Sequence, residues 1–162
     1  MRPDLSALTG FSDQSRVWLY QSNRRLTDDE IRDIDNDLSL FVQDWKAHGK
    51  GLKATALVLN PFFIVFIVDE STTLASGCSI DSSVAQVKKL QQKYSLDFFD
   101  RMRITVWKND DFRSYHFQSY FDGEALTSDY IFDPLIDSLA QLRRWPIPVN
   151  QSSFAHLLEG VF

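Results

Sequence analysis

The sequence predicts an α+β protein: a two-layer sandwich with a ferredoxin-like β-α-β-β-α-β core, an extra strand and a helical C-terminal tail. Three observations predict it. Segments rich in branched and aromatic residues alternate with segments whose apolar residues recur at every third or fourth position. Two consecutive strand-like segments, 53–59 and 62–68, separate the two helix-like ones. One of them, Phe62-Phe63-Ile64-Val65-Phe66-Ile67-Val68, is apolar at every position. A strand of that kind needs cover on both faces and belongs inside a sheet.

The elements follow in order. Arg16-Val17-Trp18-Leu19-Tyr20 reads as a short strand. Thr27-Asp28-Asp29-Glu30 has the form of a capping box, with three acids at the positive end of the helix dipole. Behind it Ile31, Ile34, Leu38, Phe41, Val42 and Trp45 form one apolar stripe, and Gly49 is expected to stop the helix. Asn60-Pro61 marks the turn between the next two strands, and 71–81 reads as a small, polar loop. Val84, Val87, Leu90 and Tyr94 predict a second helix, capped by Asp81, Ser82 or Ser83. Segments 103–107 and 112–120 predict a hairpin around Asn109-Asp110-Asp111, and Asp122-Gly123 a further turn. Asp133-Pro134 opens a short helix with Leu135, Ile136, Leu139 and Leu142, closed by Trp145-Pro146; Ser153 caps a last turn with Phe154, Leu157 and Leu158. The chain is expected to be one domain, with a core over about residues 15–120 and a helical extension over about 126–162 that covers the second face of the sheet. Arg24-Arg25 is read as a solvated turn.

With 44 % apolar and 24 % charged residues, 162 residues suffice for a substantial core. The net charge of −5 opposes general binding to nucleic acid or to an anionic membrane surface. A single cysteine, Cys78, excludes an intramolecular disulfide and a thiolate zinc site. His48, His116 and His156 have no ligand spacing and make no histidine metal site, which leaves only a mixed carboxylate site open; no metal and no cofactor is expected. The N-terminus lacks the apolar run of a signal peptide, and the longest apolar run, 61–68, is far too short to span a bilayer; a cytoplasmic protein is expected. The only Gly-Lys, Gly49-Lys50, has Asp44 in place of the first P-loop glycine and Gly51 in place of the hydroxyl, which excludes a P-loop ATPase. An RNA-recognition sheet is disfavoured, since 62–68 carries aromatics but no basic residue.

In the predicted topology the loop after the first helix and the loop after the third strand share one end of the sheet. The candidate ligand-binding residues are therefore His48, Ser76, Gly77, Cys78, Ser79 and Asp81, with the tip at Asn109-Asp110 expected at the same end. Small residues leave room for a ligand against the backbone, and a helix start favours negative charge. The leading reading is a non-catalytic small-ligand or anion-binding module with its pocket at the Ser76–Asp81 loop and His48, a small anionic ligand being one expected partner. The alternative is a cysteine-dependent enzyme using the same residues, with Cys78 as nucleophile, His48 as base and Asp69 or Asp81 orienting it. A third reading is an interaction or self-associating domain, a homo-oligomer, because Phe 13, Tyr 5 and Trp 4 amount to an aromatic excess. Cys78, among small neighbours and carboxylates, is expected to be buried and slow to alkylate.

Five segments carry a resemblance: 16–24, Arg-Val-Trp-Leu-Tyr-Gln-Ser-Asn-Arg; Trp45-Lys-Ala-His48-Gly49; Val68-Asp69-Glu70; Ser76-Gly77-Cys78-Ser79-Ile80-Asp81; and Asp97-Phe-Phe-Asp-Arg101-Met102. Over most of 15–108, and at Trp145, Pro148 and Phe154, the chain resembles a family of small uncharacterised proteins of Bacteroidetes-type bacteria, often labelled ABC-transporter ATPase. The resemblance implies a cytoplasmic bacterial protein without an established activity, and it points to the same two loops.

Overall fold

The computed structural model, which describes residues 2–158, is a mixed α+β fold with antiparallel sheets and no barrel. Strand β1 (Arg16–Gln21) leads into helix α1 (Asp28–Gln43), the hairpin β2 (Lys46–Ala47) and β3 (Lys50–Gly51), then β4 (Lys53–Asn60) and β5 (Phe63–Asp69). Helix α2 (Gly77–Tyr94) precedes β6 (Arg103–Lys108) and β7 (Asp111–His116). The rest is short: α3 (Phe117–Ser119) runs into a π-turn over Tyr120–Glu124, followed by β8 (Tyr130–Ile131), α4 (Leu139–Leu142) and β9 (Ile147–Pro148).

The first sheet has the order β1-β5-β4, antiparallel throughout. Its middle strand is the all-apolar one, and every residue of β5 is buried. Alternation along β5 divides the interior. Ile64, Phe66 and Val68 face α1 and α2, meeting Ile34, Leu38, Trp45, Val87 and Leu90. Phe63, Val65 and Ile67 face the other way, onto Phe132, Leu139, Leu142 and Trp145. The expected cover from the C-terminal segment is thus in place, joined by Leu5, Leu8 and Phe11 from a start that the sequence left outside the core.

The ferredoxin-like expectation is not completed by its last strand. β6 forms a second sheet of order β7-β6-β8-β9 instead of extending the first beside β1. The free side of β1 is taken up by the C-terminal segment: Arg16 bridges to Ser138, and the Val17 amide donates to the Asp137 carbonyl at 2.9 Å. The two sheets are pinned by a buried hydrogen bond from Gln21 Nε2 to Thr105 Oγ1 at 3.0 Å. The C-terminal extension is accordingly less helical than expected, since it supplies β8 and β9 to this sheet. The third cluster, Ile104, Val106, Tyr120, Phe121, Ile131 and Val149, lies against it.

Local chemistry explains the other departures. The Thr27–Glu30 capping box forms as expected, and Arg24 grips Glu30 through both terminal nitrogens at 2.9 and 2.7 Å. Arg25 reaches Asp111 at 2.7 Å, so the arginine pair ties elements together rather than sitting in solvent. Helix α1 already ends at Asp44, and Gly49 serves a different turn. His48 and Gly49, at φ 50° and 76°, form the two-residue turn of β2–β3. Asn109 and Asp110, at 53° and 57°, do the same for β6–β7. Two positive φ values in a two-residue loop match the right-handed twist of a hairpin.

Helix α2 starts earlier than expected. Ser76 is its cap and Ser79 the reciprocating residue, which leaves Ser83 buried inside the helix. β7 stops at His116, because 117–124 coil into α3 and the π-turn. Asp133 caps no helix; it is buried and accepts from the Leu135 and Ser153 amides, while α4 is capped by Ser138. Ser152, not Ser153, serves the last turn by accepting from the Phe154 and Ala155 amides.

Candidate functional site

The sequence-predicted residues do share one end of the first sheet. β1 runs away from Asp69, α1 returns to it, and the β2–β3 hairpin follows there; α2 begins at the same end. The Trp45 indole Nε1 donates to the Ser79 carbonyl at 2.8 Å, fastening the exit of α1 to the start of α2 in a buried contact. The Asn109-Asp110 tip is elsewhere. Its neighbour Asp111 is held by Arg25, beyond the far end of β1, so the expected third contribution to this rim is corrected.

What the rim offers is limited. Ser79 is buried as part of the cap, with its hydroxyl on the Ser76 amide at 2.6 Å and on the Ser76 carbonyl at 2.7 Å. The Ser76 hydroxyl in turn takes the Ser79 amide. Glu70 Oε2 accepts from the Ala75 amide at 2.8 Å, placing a carboxylate beside the helix start where an anion was expected. Gly77 meets no special backbone demand, as a Cβ there has open space. His48, Cys78 and Asp81 are exposed. The exposure of Cys78 corrects the expectation of a buried thiol: the second residue of α2 points outward, while Ser79 and Ser83 turn inward. A shallow hollow of about 410 Å³ at this end is lined by Leu40, Phe41, Asp44, Trp45, Lys46 and Ser82, and by none of the six predicted residues.

A deeper feature lies between the two sheets. A cleft of about 430 Å³ opens where the end of β1 and the start of β5 face β6. Its walls are largely apolar and carry six rings: Tyr20, Phe63, Phe98, Phe99, Phe117 and Phe154. Tyr20 meets Phe99 edge-on at 5.5 Å, and Phe117 meets Phe154 at 5.2 Å, so the rings brace one another. Polar groups are few: Gln21, Asp100, Arg101 and Arg103, with the buried Gln21 amide nitrogen already committed to Thr105. Burial pushes the Tyr20 hydroxyl above its ordinary value, against the opposing influence of Ser83 and the Arg101 charge. Leu135, 63 % exposed, stands at the rim.

The sequence reading missed this cleft. Its residues come from seven separate segments, and Arg101 and Arg103 carry no motif. The one available signal was the aromatic excess, which the structure uses in its interior and along this cleft. Of the aromatic side chains only Phe99 and Tyr130 count among the exposed large hydrophobics of the described residues.

Among the described residues no group of three or more His, Cys, Asp or Glu side chains is placed to hold a metal ion, and no helix is long and apolar enough to cross a membrane. Comparison with family models, curated proteins and solved structures returned no match.

Proposed function

We propose that this protein is a non-catalytic binding module for a small organic ligand, and that the ligand occupies the cleft between the two sheets. The cleft itself carries the reading: about 430 Å³ of concave, ring-lined space with a few polar groups. Sites for small molecules fall in the range of about 300–1,000 Å³ and share that chemistry. Among the described residues no nucleophile, base and orienting group converge on it, which favours binding over covalent chemistry. The rim of His48, Ser76, Gly77, Cys78, Ser79 and Asp81 supports the reading less, because its capping groups are engaged with one another. In fold terms, the β1-β5-β4 sheet with α1 and α2 is read as a ferredoxin-like unit whose last strand was given to a second sheet. An unpaired cysteine fits a reducing, cytoplasmic setting.

The test uses N-phenyl-1-naphthylamine, a neutral fluorophore that brightens in apolar surroundings. The native chain should bind it saturably, and Leu135→Trp, which fills the cleft mouth from an exposed position, should weaken binding about tenfold with an unchanged near-UV circular dichroism spectrum. Absence of saturable binding, or binding indifferent to Leu135→Trp, refutes the cleft as the site.

A further inference from the structure

Resting on the cleft as the ligand site, we propose that its ligand is an amphiphilic anion, with an apolar body among the rings and a carboxylate-type head group on Arg101 and Arg103. The charge pattern carries the inference. The chain holds 22 acidic residues against 17 lysines and arginines, so cations have carboxylates to spare. Arg24, Arg25, Arg32, Arg113 and Arg143 each take one within 4 Å, whereas Arg2, Arg16, Arg101, Arg103 and Arg144 take none among the described residues; what sets Arg101 and Arg103 apart is their place. Arg101 and Arg103 line the same cleft, and neither forms an ion pair with a described residue.

Their surroundings leave them available. Arg103 is half-buried, and its Nε is steadied by Ser114 Oγ at 3.3 Å, an anchor that leaves both terminal nitrogens without a partner among the described residues. Arg101 is exposed at the opening. Asp100, the one carboxylate among the described residues that line the cleft, spends Oδ1 on the Met102 amide at 2.9 Å in its own loop and does not bridge to either arginine. Among the described residues the cleft therefore sets two guanidinium groups against one carboxylate, a local positive charge in an acidic protein. Guanidinium is suited to oxyanions such as carboxylate, phosphate and sulfonate, two oxygens of which it binds through paired N–H donors. The ring-lined wall next to it excludes a small, fully hydrated anion as the preferred ligand, since apolar surface would stay uncovered. A neutral apolar molecule would leave the half-buried Arg103 unanswered. An amphiphilic anion satisfies both halves.

The test compares two probes of nearly the same body, 1-anilinonaphthalene-8-sulfonate and the neutral N-phenyl-1-naphthylamine, on the native chain. The sulfonate should bind about tenfold more tightly, and added salt should weaken it alone. Arg101→Gln combined with Arg103→Gln should remove that advantage, weakening the sulfonate about tenfold more than the neutral probe. Arg101→Gln alone, an exposed and structurally mild change, should remove part of it. Equal affinities for the two probes, or sulfonate binding untouched by the arginine changes while Leu135→Trp still weakens both, overturns the anion proposal and leaves the cleft standing. If neither probe binds, the cleft reading falls, and the anion proposal falls with it.

Discussion

Replacing Phe66 by alanine tests the architecture at its centre. Phe66 sits mid-strand in β5, between Trp18 of β1 and Ala56 of β4, and is fully buried. Its ring meets Tyr20 at 5.8 Å, Trp45 at 5.7 Å and Phe41 at 6.0 Å, all close to perpendicular. Truncating a buried phenylalanine costs about 3–5 kcal/mol, and three edge-on partners at roughly 0.5–1.5 kcal/mol each place this site in the upper half, about 4–5 kcal/mol. That is a large share of the ~5–15 kcal/mol that holds a domain together. In urea, with a slope of about 2–3 kcal/mol/M, the midpoint should fall by roughly 1.3–2.5 M without a change of slope. Tryptophan fluorescence and far-UV circular dichroism should report the same transition. Leu40→Ala, at a side chain 64 % exposed, serves as the control and should stay within about 0.5 kcal/mol. A loss below about 1 kcal/mol for Phe66→Ala would show that β5 is not the enclosed middle strand, and the division of the interior along it would fail.

Two further outcomes are expected. Hydrogen bonds from the Ser71 hydroxyl and amide, then from Lys53 and the Ser12 amide, hold the Asp69 carboxyl well below the usual carboxylate range. A depressed native value means that Asp69 contributes stability above its unfolded value near pH 3.9, lost as pH falls toward the native value. Asp69→Asn should therefore lower stability by about 1–3 kcal/mol at pH 7 and flatten its decline below about pH 4, and denaturant midpoints across pH 2–7 that run parallel for the two proteins would refute this. The exposed Cys78 should react with iodoacetamide in the native state at a rate close to that of the unfolded chain; slow native labelling that accelerates only on unfolding would contradict its outward position on α2.

Much of the fold was legible because the deciding interactions are local. The Thr27–Glu30 box, the apolar stripe of α1 and the unbroken apolar run of β5 each depend on residues within a turn or on a periodicity, and each appears where its pattern placed it. Errors gathered where several local solutions compete. Gly49 suits a helix stop and a hairpin turn equally, and the pairing of Ala47 with Lys50 decided for the turn. Ser76, Asp81, Ser82 and Ser83 are all competent caps, and the fastening of Ser79 beneath Trp45 fixed the start of α2 at the first of them.

By itself the sequence determined the two helices, the strand pair β4–β5, the hairpin at Asn109-Asp110 and the need for cover on both faces of β5, because periodicity and turn chemistry act along the chain. Only the tertiary structure decided which strand lies beside β1. An edge strand presents the same backbone donors and acceptors to any neighbour, and Val17 satisfied its amide with Asp137 while β6 found β7 and β8. That choice separated the two sheets and opened the ring-lined cleft between them. It also brought Arg101 and Arg103 into its lining. No spacing in the sequence encodes such a site, since its residues are joined by the packing of distant segments and not by their order.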